Sequence, residues 1–124
     1  MAIFVIVLVG LYLVPLKPLY LAITTAKAYC GDTNAQLELG DIALMTRGED
    51  YTKALKWLTR AAEKGNPRAQ LALGIMYSEG NGVEHNHSEA LKWLTKAAAQ
   101  GEEGAQFLIQ VEQEKYNHVR IERD

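Results

Sequence analysis

Residues 54–65 read ALKWLTRAAEKG, and residues 90–101 read ALKWLTKAAAQG. Nine of the twelve positions agree at an offset of 36 residues. The apolar members Ala54, Leu55, Trp57, Leu58, Ala61 and Ala62 follow helical spacing, as do Ala90, Leu91, Trp93, Leu94, Ala97 and Ala98. Such spacing gathers them on one face and turns Lys53, Lys56, Arg60 and Glu63 outward. Gly65 and Gly101 stand where a helix end needs a left-handed residue. Asp50 and Asn86 each lie four residues ahead of the phrase, where an N-cap belongs. Glu89 adds the third-position acid of a capping box to Asn86.

A second phrase precedes the first. AQLELG at 35–40 returns as AQLALG at 69–74, and AQFLIQ at 105–110 begins another copy. Asn66 and Pro67 open the middle copy as N-cap and first helical residue. Gly40 and Gly74 sit inside helices, where glycine costs about 1 kcal/mol relative to alanine. A repeated cost implies a repeated use, and close approach of the paired helix at Ala54 and Ala90 is the expected one. Each unit is therefore helix, turn, helix, with spacings of 34 and 36 residues between alanines 35, 69 and 105. Periods of this length mark a helical solenoid, in which stacking buries the apolar face that one hairpin leaves open.

The order A-Q-L-A-L-G-I-M-Y, then G-N-G-V, then A-L-K-W-L-T-K-A-A-x-x-G resembles the Sel1-like repeat, a relative of the tetratricopeptide repeat. Residues 69–101 match nearly throughout. In the first unit Ala43 stands where Tyr77 does in the second, and MTRGED replaces the longer glycine loop. The resemblance implies an all-α solenoid of helix hairpins. It also implies a non-catalytic adaptor that binds other proteins. Mapped on the tetratricopeptide pattern, the first helix of each pair lines a concave face. The positions so implied are Leu37, Asp41 and Met45, then Arg68, Leu71, Ile75 and Glu79, then Phe107, Val111 and Lys115. Leu71, Ile75, Phe107 and Val111 form its apolar strip, a groove suited to a partner helix or extended peptide. Core burial of the strip is the competing reading. Trp57 and Trp93 share one repeat position and are expected in packing.

The first 28 residues differ from the rest. Residues 2–14, AIFVIVLVGLYLV, are continuously apolar, and Pro15, Lys17 and Pro18 interrupt the pattern. One reading is a secretory signal cleaved after Ala26-Lys27-Ala28, although no basic residue precedes the apolar run. Another is an uncleaved membrane anchor, although thirteen helical residues reach only about 20 Å. A third is a buried helix of the domain. Either of the first two exports the chain to the periplasm or holds it at the inner membrane facing that compartment. Lipidation of Cys30 fits poorly, since Lys27 and Tyr29 stand where a lipobox needs leucine and a small residue. The expected organisation is a signal or anchor at 1–28, a linker at 29–34, and a repeat domain at 35–124. Within that domain, 35–66 and 67–103 are full repeats and 104–124 is a partial repeat with a capping helix.

Thirteen basic and fifteen acidic residues leave a net charge of −2. No basic stripe favours nucleic acid. One cysteine permits no intrachain disulfide. His85 and His87 with Glu84 are the nearest approach to a metal-ligand cluster, but Asn86 is taken as a cap and no third ligand is near in sequence. Ser78 and Ser88 sit at helix ends, where local hydrogen bonding accounts for them. GNGV at 80–83 lacks the strand and lysine of a phosphate loop. No catalytic residue, cofactor or metal is expected. The function expected is binding of a protein partner in a bacterial envelope, as adaptor or regulator. The alternative is an immunity protein against a secreted toxin such as a phospholipase. A small enzyme or metal-binding protein is the rival of another class.

Overall fold

The computed structural model describes residues 17–45 and 51–123. All its elements are helices: α1 (residues 17–29), α2 (Thr33–Met45), α3 (Tyr51–Glu63), α4 (Pro67–Glu79), α5 (His87–Ala99) and α6 (Ala105–Arg123). Helix α2 pairs with α3 and α4 with α5, while α3 meets α4 and α5 meets α6 between units. The described residues form a short stack of helix hairpins, as the doubled phrases require. Asp50, expected as a cap, and the MTRGED loop beyond Met45 lie outside the described residues.

Local chemistry sets the ends of these helices. Asn66 Oδ1 accepts from the Ala69 amide at 3.0 Å, and Asn86 Oδ1 from the Glu89 amide at 3.1 Å. Asp32 does the same for α2, accepting from the Ala35 amide at 3.1 Å. The capping box at Asn86 is only half made. Its own amide donates to the Tyr77 carbonyl, and the Glu89 carboxylate pairs with Lys92. Gly31, Gly65 and Gly101 all hold positive φ, and each is followed by an amide that reaches back to the last helical turn.

The glycines inside α2 and α4 receive leucines. A methyl group placed on Gly40 would lie 2.6 Å from Leu58 Cγ, and one on Gly74 would lie 2.6 Å from Leu94 Cγ. The nearest contact is thus one helical turn beyond the expected Ala54 and Ala90, and the Ala90 carbonyl also comes within 3.4 Å at Gly74. The reason is reach. A leucine fills the slot that a missing side chain opens, and Leu58 and Leu94 become fully buried there.

The tryptophans occupy matching surroundings. Trp57 packs with Ala28, Ala35 and Leu39. Trp93 belongs to the core that holds Ala62, Ala69 and Leu73, the same positions one repeat on. The glutamines of the AQ phrase repeat as well. Gln36 Nε2 donates to the Ala28 carbonyl at 2.9 Å, and Gln70 Nε2 to the Ala62 carbonyl at 3.1 Å. Each adds a second bond to a carbonyl of the last helical turn that also accepts the following glycine's amide, Gly31 or Gly65.

By these marks α1 holds the place that α3 holds in the next unit. The boundary expected at residue 28 falls inside this helix, with Ala28 and Thr24 buried against the array. Tyr20 also donates a hydrogen bond to Glu38 on α2. The linker expected at 29–34 narrows to a three-residue turn, since α2 starts at Thr33. Residues 1–16 lie outside the described residues.

The glycine slot yields a direct prediction. Gly74→Ala gains about 1 kcal/mol of helix propensity, yet it places a methyl against Leu94 at an overpacking cost of about 1–3 kcal/mol, so the net change is a loss of up to about 2 kcal/mol. Thermal melting should show the loss, and adding Leu94→Ala should make the two changes non-additive in a double-mutant cycle.

Candidate functional site

The implied concave positions divide by burial. Leu37 is 9% exposed and sits in the principal core, so it leaves the binding strip. Asp41, Leu71, Ile75 and Val111 are half-buried, and Arg68 and Glu79 are exposed. Met45 and Phe107 are 82% and 66% exposed. Ile75 of α4 and Val111 of α6 line one small crevice of about 50 Å³ with Ser78, Leu108 and Lys115. Phe107 lies one helical turn before Val111 and Lys115 one turn after it, so all share a face of α6. Glu79 also lines this crevice, whereas Leu37, Asp41, Met45, Arg68, Leu71 and Phe107 do not.

Next to it lies a cluster that sequence reading missed. Glu112 is 2% exposed and yet ionisable. Ser78 donates its hydroxyl proton to Oε2, and His87 Nδ1 lies 3.0 Å from Oε1. Lys115 Nζ and His85 Nε2 each stand 3.9 Å from the carboxylate. The His87 ring stacks on Tyr116 with centroids 4.4 Å apart and planes 11° from parallel. Burial raises the carboxyl pKa of Glu112. The bonds from Ser78 and His87 and the charges of Lys115 and His87 outweigh burial and hold it below its ordinary value near 4.5.

This arrangement ties together α4, the first residue of α5 with the loop before it, and α6. It places Glu112 where the repeat register has Met76, 36 residues earlier. A charged residue at a core position of the repeat was the available signal. It needed the loop histidines folded over it to become readable. The Ser78 hydroxyl donates to the Glu112 carboxylate, which together with His87 ties it into the cluster. Among the described residues no three His, Cys, Asp or Glu side chains are set to hold a metal ion. A cleft of about 290 Å³ opens beside the cluster, walled by His85, His87, Tyr116, Val119 and Arg123. Helix α6, at 19 residues against 13 for α4, carries its last turns past the repeat layer to form that wall.

A stack of helix hairpins in which paired phrases recur at 34 to 36 residues belongs to the class of helical-repeat solenoids. The Sel1 repeat pattern matches residues 33–66 and 67–102, more than half of the chain, and the chain belongs to the Sel1 repeat family. The Sel1 repeat protein of Oxalobacter formigenes has 37% identity and a TM-score of 0.65, over 72% of this chain and 68% of that one. A protective antigen with this fold from uropathogenic Escherichia coli strains has 41% identity and a TM-score of 0.64, over 67% of this chain and 18% of that one. The ERAD-associated E3 ubiquitin-protein ligase component HRD3A of Arabidopsis thaliana is 42% identical over 59 residues, 45% of this chain. The chain spans only 9% of that plant protein. Sel1 repeat proteins generally mediate protein–protein interaction.

The cluster sets a pH dependence. Because Glu112 has its pKa lowered on folding, its ionised form contributes stability above the unfolded value, and that contribution fades as pH falls through the folded one. Glu112→Gln should therefore flatten the fall in melting temperature between about pH 5 and pH 3, a range set by ordinary carboxyl titration.

Proposed function

We propose that this chain is a non-catalytic docking module that holds a partner protein on the face formed by α4 and α6. The observation that carries this reading is the meeting of Ile75 and Val111 in one crevice, with Phe107 exposed a turn away. A helix or extended segment of the partner would lay apolar side chains over Phe107 and into the crevice. Charged Glu79, Lys115 and Arg68 at the margins would set its register. Met45 and Asp41 extend the same surface into the first repeat in this reading.

The setting proposed is the bacterial envelope. Its support is the apolar run at 2–14, read as a signal or anchor, together with the similar Escherichia coli protein being a protective antigen. Among the described residues no helix is long and apolar enough to cross a membrane. Within that setting the module serves as an adaptor or regulator of envelope proteins. The alternative use of the same surface is inhibition of a single secreted toxin, such as a phospholipase. Stoichiometric loss of a partner's activity distinguishes the inhibitor, whereas several weak partners distinguish the adaptor.

The test is capture of the partner from source cells by the tagged chain, with the mature N-terminus read by intact mass. Phe107→Asp alters an exposed side chain and should keep the melting temperature within a few degrees, since surface changes stay within about 0.5 kcal/mol. Capture should nevertheless fall at least about tenfold, the loss expected from a central apolar contact. Unchanged capture by folded Phe107→Asp and Ile75→Asp would remove this face as the docking surface.

A further inference from the structure

The junction between α1 and α2 copies the junction between α3 and α4 in all but one bond. Gln36 and Gln70 are both buried, and both donate through Nε2 to the end of the preceding helix. Gln70 Oε1 then accepts from Gln100 Nε2 at 2.8 Å. The residue 36 positions before Gln100 is Lys64, and its ammonium donates to the Gly31 carbonyl instead. Gln36 Oε1 is buried and has no hydrogen-bond partner among the described residues. Its orientation is fixed, because the Ala28 carbonyl can only accept and so holds the Nε2 end.

Gln36 lines a cleft of about 470 Å³ with Tyr29, Gly31, Arg60, Glu63 and Lys64. Tyr29 meets Trp57 edge to face with centroids 5.0 Å apart. The Arg60 guanidinium lies 5.1 Å over the Trp57 ring and 6.0 Å over the Tyr29 ring. Two cations and one anion thus wall a cleft whose lining includes Gln36, the residue with the unmet acceptor beneath its surface.

We propose that this cleft binds an acidic peptide segment. One main-chain N–H of the segment donates to Gln36 Oε1, and a neighbouring Asp or Glu side chain lies between Arg60 and Lys64. An unmet acceptor calls for a donor, and paired cations call for an anion. An acidic residue within a peptide carries both at one residue's spacing. The ring of Tyr29 supplies the apolar wall. This site is built from α1, α2 and α3, so it stands apart from the α4–α6 face and does not rest on it.

The second repeat supplies the control. Lys64→Gln restores the Gln70–Gln100 arrangement and should fill the acceptor from within. The experiment titrates the full-length ¹⁵N-labelled chain with acetyl-Ala-Glu-Glu-Ala-amide and follows the Gln36 side-chain amide and the Gly31 amide. The same titration is run with acetyl-Ala-Gln-Gln-Ala-amide and with free glutamate. Saturable shifts at both amides are expected for the acidic peptide only. Lys64→Gln and Arg60→Gln should each weaken them about tenfold or more, as loss of a charge-assisted contact does. The melting temperature of Lys64→Gln should be no lower than that of the parent, which shows the loss is not unfolding. Absence of saturation, equal binding by Lys64→Gln, or equal shifts with the glutamine peptide would each overturn the proposal. Binding of free glutamate without the peptide would overturn the peptide assignment.

Discussion

A leucine entering the gap left by a glycine one helix away holds each hairpin of this protein together. Gly40 takes Leu58 and Gly74 takes Leu94, and both leucines lose essentially all contact with solvent. Full burial of a leucine side chain is worth about 1.5–3 kcal/mol, which exceeds the propensity cost of about 1 kcal/mol for the glycine. The close approach this permits brings alanines 54, 61, 90 and 97 to full burial, and it seats each tryptophan against the preceding helix. Everything functional on the surface depends on that spacing, because the crevice at Ile75 and Val111 exists only where α6 is drawn against the second hairpin.

The two ends of the array show what happens when the pattern is altered. At the N-terminal end, α1 keeps the packing alanine, the carbonyl that Gln36 holds, and the glycine turn. At the C-terminal end, α6 keeps the opening Ala105 but has exposed Gln110 at the position of Gly40 and Gly74. A leucine docking in the manner of Leu58 has no slot there. Glu112, in the register of Met76, turns the next core position into a polar tie to Ser78 and His87. Helix α6 is therefore held by hydrogen bonds where its predecessors are held by apolar contact. Phe107, Tyr116, Val119 and Ile121 remain exposed along it.

The repeat was legible because identical side chains recur at identical spacing, and helical period, caps and glycine ends follow from that alone. At Gly74 the expected Ala90 contact is present beside the nearer one from Leu94, and at Gly40 Leu58 takes the place, since sequence gives the gap but not the length of the side chain that fills it. Helix α1 was hidden by its neighbours. Its Leu19, Tyr20, Leu21 and Ile23 are exposed, so it reads as a continuation of the apolar run at 2–14. The tie at Glu112 spans 34 residues to Ser78 and 25 to His87, and no local pattern announces such a contact. Leu37 and Leu71 share a repeat position but differ in burial, so the binding strip could not be read evenly from the register.

Proximity between glycine and leucine in both hairpins is what the whole arrangement demands, and nuclear Overhauser measurements report it directly. The α-protons of Gly40 should show strong cross-peaks to the Leu58 methyls, and those of Gly74 matching cross-peaks to the Leu94 methyls. Cross-peaks in one hairpin without the other, or to leucines elsewhere, would contradict the shared geometry on which the structure and its surfaces rest.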